Sequence, residues 1–260
     1  MAEGKVDPVH QFTIENLFGT DHWAIGGYNI AFTNSALWMA ITAIVLVVFV
    51  GGGAKRQLVP GRWQMMVEGF VGFVDNLLKA NIGEAGGKYL PYIFSLFMFI
   101  LFANVLGMLP LALVGVHPFT ATSHFTVTGV LAVMSFAIVL VVGFFKHKLH
   151  FFSLFVPHGT PLPMIPIIFP IELISFMVRP FSLGLRLFVA MMAGHVLLEV
   201  LSSFVISGTN AGALTFGIAA LPSFVLMIGI CALELLVAAI QAYVFALLTC
   251  LYLNDAENLH

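Results

Sequence analysis

Charge is what this sequence has least of. Only 8% of its 260 residues are Asp, Glu, Lys or Arg, against 60% hydrophobic, whereas a soluble domain carries about 25% charged and roughly 45–50% apolar residues. So little charge does not cover a water-facing surface, which excludes a soluble globular fold and makes the chain an integral membrane protein. The ten basic residues form no long run and the net charge is -2, so no nucleic-acid partner is expected. Alternation of apolar and polar residues over about ten positions is also lacking, which excludes an outer-membrane barrel and leaves helices. Cysteine is scarce, with Cys231 and Cys250 both in one apolar segment. On one helix they would stand roughly 28 Å apart, beyond the disulfide Cα limit of about 7 Å, so no internal disulfide is expected. There is no glycine-rich phosphate loop, no Ser or Cys nucleophile beside a base in a recognised motif and no H-E-x-x-H. Nothing indicates nucleotide hydrolysis, a cofactor or a metal, and the chain is expected not to be an enzyme. MAEGKVDPVHQF at the N-terminus lacks the basic-then-apolar order of a cleavable signal and is expected to be retained.

Apolar runs are abundant. The sequence predicts an all-α polytopic membrane protein with about five membrane helices, one interfacial amphipathic helix and a long, strongly tilted C-terminal helical hairpin. Three parts are expected: an N-terminal segment over 1–34 with Asp7, His10, Glu15, Asp21 and His22, peripheral membrane helices over 35–166, and the hairpin over 167–260. The first span runs from Ser35 through Val50 to Ala54, and Lys55, Arg56 and Arg62 after it place that end in the cytoplasm and the N-terminus outside. Trp63 to Ala80 carries Glu68, Asp75 and Lys79 on one helical stripe, which suits a helix in the cytoplasmic interface. Tyr89 to Val116, broken near Pro110 and containing Asn104, is the second span, and Phe125 to Phe145 the third. The link VHPFTATSH between them has no Lys or Arg, while Lys146 and Lys148 follow the third, so the sides alternate correctly. Pro157, Pro161, Pro163, Pro166 and Pro170 predict a non-helical loop. Beyond it, 171 to about 206 and 213 to 252 read as two helices joined at the SGTNAG turn of Ser207 to Gly212, with Pro180 and Pro222 as points of kinking. Each is nearly twice as long as a hydrocarbon core of about 30 Å requires, which implies tilt or a break.

Within RPFSLGLRLFVAMMAGHVLLE, from Arg179 to Glu199, ionisable groups lie at membrane depth, where each is a candidate for an ion pathway. If the two last helices fold back on each other, residues at equal depth have numbers of nearly constant sum. Arg186 with Gln241, and His195 with Glu234, satisfy one such hairpin, with the second pair closer to the outer turn. At 100° per residue Arg186 and His195 point in opposite directions, so one can face a partner protein and the other a water-filled cavity. Plainer readings exist beside these. Gln241 can serve a helix–helix hydrogen bond, His195 and Glu234 can be a buried pair, and Arg179 can snorkel to the cytoplasmic interface. Arg186 is too deep to snorkel and has no acid facing it at its own depth, so a carboxylate from another subunit is its natural partner. His195 and Glu199 form an i,i+4 pair with the spacing to hold a metal, but the H-E-x-x-H pattern that would support one is absent.

FSLGLRLFVAMMAGH around Arg186, ELLVAAIQAY from Glu234 to Tyr243 and FANVLGMLP from Phe102 to Pro110 resemble subunit a of the F-type ATP synthase. The resemblance covers essentially the whole chain. His195 and Glu234 stand exchanged relative to many bacterial members, as in the alphaproteobacterial and mitochondrial branch. The resemblance implies that Arg186 is the essential stator charge facing carboxylates of a c-ring, and that His195, Glu234 and Gln241 bound an aqueous half-channel. Glu199, Glu172 and Ser182 are further candidates for the proton path. Also implied are a bacterial inner membrane with the C-terminus in the cytoplasm, the c-ring and peripheral-stalk b-type subunits as partners within the lipid bilayer, and protons as the transported ion. The alternative is a self-contained ion-coupled secondary transporter, for which paired broken helices in inverted repeats are expected. A membrane scaffold is the remaining reading.

Overall fold

The computed structural model describes residues 13, 24–25, 28–29, 33–53, 61–109, 120–148, 164–210 and 216–258. The polar N-terminal residues, Lys55 and Arg56, the break at Pro110, the loop prolines 157, 161 and 163, and residues 211–215 lie outside these. Six helices dominate the described residues: α1 (Asn34–Gly53), α2 (Arg62–Ile82), α3 (Leu90–Met108), α4 (Phe125–His147), α5 (Ile165–Asn210) and α6 (Leu221–Glu257). A two-residue antiparallel ladder, β1 (Ala24–Ile25) with β2 (Tyr28–Asn29), precedes them. The fold is all-α, as the composition requires.

Five segments are long and apolar enough to cross a bilayer: α1, Glu84–Met108, α4, the α5 segment and α6. The reason is backbone satisfaction. In hydrocarbon every N–H and C=O needs an internal partner, which a continuous apolar helix supplies. α2 is not among the five. It buries Val67, Val74, Leu77, Leu78 and Ile82, while its polar stripe closes on itself through Gln64 to Glu68 at 2.8 Å and Lys79 to Asp75 at 2.7 Å. That last bond raises the exposed Lys79 ammonium above its ordinary value.

Three expectations at the helix ends are corrected. Pro166 and Pro170 are not in a loop, because α5 begins at Ile165. Pro166 occupies the first turn, where its missing N–H would have no helical partner, and Pro170 forfeits only the bond to the Pro166 carbonyl four residues back. Ser207 to Asn210 continue α5 rather than starting the turn. A Cβ on Gly208 would stand 2.8 Å from Ala220 Cβ and 3.0 Å from its backbone nitrogen, so the glycine is there for close helix approach. Finally, α6 starts at Leu221, preceded by a π-helical turn over Phe216–Ala220, which places Pro222 at the helix start, where its ring is tolerated. At 1.5 Å per residue the 46 residues of α5 extend about 69 Å.

The chain divides into two compact units. The first comprises Met1–Ile44, Ile100–His124 and Phe188–Gln241, the second Val45–Phe99, Phe125–Leu187 and Ala242–His260. In the second, Trp63 donates its indole N–H to the Phe49 carbonyl at 2.9 Å, and Gly184 lets α5 approach α4 so closely that a Cβ would lie 3.0 Å from the Thr128 carbonyl oxygen. At the end of α6 the buried Glu257 carboxylate takes Lys88 at 2.8 Å and Lys146 at 2.7 Å, and Tyr89 donates its hydroxyl at 2.6 Å. This carboxylate ties the starts or ends of three apolar segments to one point.

Candidate functional site

In the first unit, α5 and α6 run against each other. The face of α6 that carries Glu234 and Ala238 at i,i+4 spacing is buried. That periodicity turns the Glu234 side chain inward, where it is 2% exposed. His195 on α5 meets it, with Nε2 3.7 Å from Glu234 Oε1. The antiparallel depth arithmetic therefore holds at this pair. Room for the carboxyl comes from Gly194, where a Cβ would lie 2.6 Å from Glu234 Oε1. Both carboxyl oxygens are buried, and among the described residues neither has a hydrogen-bond donor. In so apolar a setting such a group needs a partner able to give or share a proton, because an isolated carboxylate is expensive to bury. The imidazole is that partner.

A second set of groups completes the cluster. The short turn over Ala121–Ser123, between α3 and α4, brings Thr120 Oγ1 to 2.7 Å from His195 Nε2. Thr122 donates to Asn104 Oδ1 at 2.7 Å, and Asn104 donates to the Ala238 carbonyl at 3.2 Å. Asn104 and Thr122 are fully buried. In the sequence Asn104 stands out as a buried polar group without a role, whereas nothing in any motif singles out Thr120, Thr122 or Gly194. The available signal was the run of hydroxyl residues in TATSH directly before an apolar span, a placement with no use unless something polar faces it. His195 and Glu199 also line a groove of about 360 Å³ with Leu198, Ser202, Met227, Ile228 and Cys231. Among the described residues no group of three His, Cys, Asp or Glu is arranged to hold a metal. Both cysteines are free thiols. Gln241, at the end of this unit's α6 segment, is half-buried.

In the second unit, α5 buries Phe176, Leu183 and Leu187, and Arg186 is exposed beside the exposed Leu185. No carboxylate among the described residues pairs with Arg186. Arg179 is different. It donates to Asp255 at 2.9 Å and lies 3.8 Å from Glu172, with its guanidinium over the rings of Phe176 and Tyr252. α6 thus supplies an acid partner for Arg179 in addition to Glu172 on its own helix. Asp255 was not anticipated. Glu172 is thus engaged with a cation, and Ser182 is half-buried on the same helix.

A long helical hairpin with a buried acid–imidazole pair and a free guanidinium invites comparison with known proteins. Residues 36–254 match the ATP synthase A chain family. The chain belongs to the ATP synthase A chain family. It is 88% identical over 260 residues to the ATP synthase subunit a of Novosphingobium aromaticivorans, covering 100% of both chains. It is 74% identical over 258 residues to that of Erythrobacter litoralis, covering 99% of this chain and 98% of the relative. To the ATP synthase subunit a of Rhodospirillum rubrum it is 44% identical over 255 residues, 97% of this chain and 99% of the relative. Membership in the ATP synthase A chain family, with five apolar segments of spanning length, makes this a multi-pass membrane protein and a component of that complex. The reading as a self-contained secondary transporter is set aside.

Proposed function

We propose that the chain is the proton-translocating stator subunit of an F-type ATP synthase, itself non-catalytic, which couples proton flow to rotation of a c-ring through two offset half-channels. The single observation that carries this reading is the buried Glu234 carboxyl, without a donor of its own, facing His195 at 3.7 Å beside a groove. A proton taken from the outer side passes along the His195 and Glu234 pair and neutralises a ring carboxylate, and the neutral site turns into lipid. Nearly a full rotation later the site meets a half-channel open to the cytoplasm, with Glu172 and Ser182 as candidate residues on that side, loses its proton and is drawn to Arg186. The exposed guanidinium, which no carboxylate among the described residues pairs, supports this role, since it is available to a carboxylate of another subunit. It separates the two channels and prevents leakage. Each charge crossing yields about 2.3 kcal/mol per 100 mV, which the ring converts into torque.

The same reading places Gln241 and Glu199 along the outer path, the N-terminus outside and the C-terminus in the cytoplasm of a bacterial inner membrane. It assigns the tilted hairpin of 167–260 to the ring's curved wall, and takes b-type stalk subunits as further partners. The test is Arg186→Ala in membrane vesicles carrying the whole complex. Proton-driven ATP synthesis is expected to be lost while the complex still assembles, and synthesis at the normal rate would overturn the assignment.

A further inference from the structure

Thr120 is one residue that no motif singled out and that the proton path, as read above, does not use. The residue is held from three sides. Gly107 of α3 leaves space for it, since a Cβ there would overlap Thr120 Oγ1 and stand 2.7 Å from Thr120 Cβ. Its carbonyl accepts the Ser123 hydroxyl at 2.6 Å and the Ser123 backbone N–H at 3.0 Å. The turn that follows is anchored to α3 and α6 by the Thr122, Asn104 and Ala238 chain of hydrogen bonds. Thr120 is 5% exposed, so its hydroxyl is not shared with bulk solvent. Among the described residues Oγ1 has one side-chain partner, His195 Nε2, at 2.7 Å. The same nitrogen is the one nearest Glu234.

We propose that Thr120 is a positioning residue of the proton path, holding His195 so that Nε2, and not Nδ1, addresses Glu234 Oε1. This rests on the reading of His195 and Glu234 as a relay. A hydroxyl suits the task because it both donates and accepts. While Nε2 is unprotonated, the Thr120 O–H donates to it. When a proton arrives on Nε2, the hydroxyl turns and accepts from the new N–H. A small movement of the ring then brings that N–H onto Glu234 Oε1, the N–H bond breaks, an O–H bond forms, and the ring returns to neutral beside a neutral acid. Among the described residues Glu234 of α6 stands at 3.7 Å from His195, and Cys231 of α6 and Glu199 of its own helix line the same groove. His124 follows at the end of the turn that begins at Thr120, and the neutral Asn104 of α3 is held by Thr122 and Ala238.

The experiment uses the assembled ATP synthase in proteoliposomes, with ATP synthesis and proton flux measured per assembled complex as the outer-side pH is varied. Thr120→Val keeps the shape and removes the hydroxyl. It is expected to lower flux roughly five- to tenfold, the equivalent of one buried hydrogen bond, and to displace the pH profile of the flux. Thr120→Ser is expected to restore both. Gly107→Ala keeps the hydroxyl but pushes it aside, and is expected to reproduce the Val behaviour, so it carries the test should Thr120→Val not assemble. An unchanged flux and profile in Thr120→Val or in Gly107→Ala, or a Ser variant no better than Val, overturns the proposal. His195→Ala separates the two levels. If it abolishes flux while the Thr120 variants are normal, only the positioning role fails. If it too leaves flux normal, the relay reading fails.

Discussion

Gly194→Ala puts a single methyl group against the Glu234 carboxyl of the proposed relay. A Cβ at this position would lie 2.6 Å from Glu234 Oε1, 2.8 Å from Cδ and 3.1 Å from Cγ, while ordinary carbon contacts begin near 3.5 Å. The carboxyl must move by about 1 Å, within a side chain that is 2% exposed and flanked by α5. Overpacking of this size costs about 1–3 kcal/mol. Moving the acid away from His195 lengthens a gap that is already 3.7 Å. If about 1.4 kcal/mol of the strain appears in the proton-transfer barrier, flux falls about tenfold. The assay is quenching of a pH-sensitive dye in proteoliposomes containing the assembled complex, normalised to complex content. In a Glu234→Asp background, where the acid is shorter by one methylene, the alanine is expected to do less additional harm, because the two changes share one volume. A Gly194→Ala complex that translocates protons at the normal rate would refute the reasoning, since it would mean that the Glu234 carboxyl need not stand where it does.

Two further outcomes are expected at the sites outside the relay. Glu257→Ala removes the carboxylate on which Lys88, Lys146 and Tyr89 converge. Because both lysines are about half exposed, the loss is expected to be moderate, about 1–3 kcal/mol, read as a lower temperature for dissociation of the detergent-solubilised complex, with flux per intact complex unchanged. Asn104→Leu removes the acceptor of the Thr122 hydroxyl and the donor to the Ala238 carbonyl. Faster amide hydrogen exchange in residues 120–123 is expected, together with reduced flux.

Much of the architecture was legible because the membrane imposes a simple rule. A run of about 20 apolar residues must satisfy its own backbone, so α1 and α4 could be placed within a few residues from composition alone. The ends were less legible. Pro166 and Pro170 look like breakers in a list of residues, yet a proline near a helix start forfeits little, and only the path of the chain shows that they sit there. Ser207 to Asn210 read as a turn by residue type, but Gly208 serves contact with Ala220 inside a helix.

The sequence by itself determined the class of protein, the membrane helices, the isolation of Arg186 and the equal depth of His195 and Glu234. These follow from hydropathy, from the fixed rise of a helix and from the permanent charge of a guanidinium, all properties of residues and spacings. Tertiary structure alone decided which groups meet. Asp255 reaches Arg179, Lys88 and Lys146 share Glu257, and Thr120 arrives at His195 because a turn between two other helices is pinned by Asn104. Such encounters join residues 75 to 169 positions apart, and no local pattern encodes them. They are set by how the packed helices pass one another, which is why the paired acid and imidazole of Glu234 and His195 could be found in the sequence and the hydroxyl that meets His195 could not.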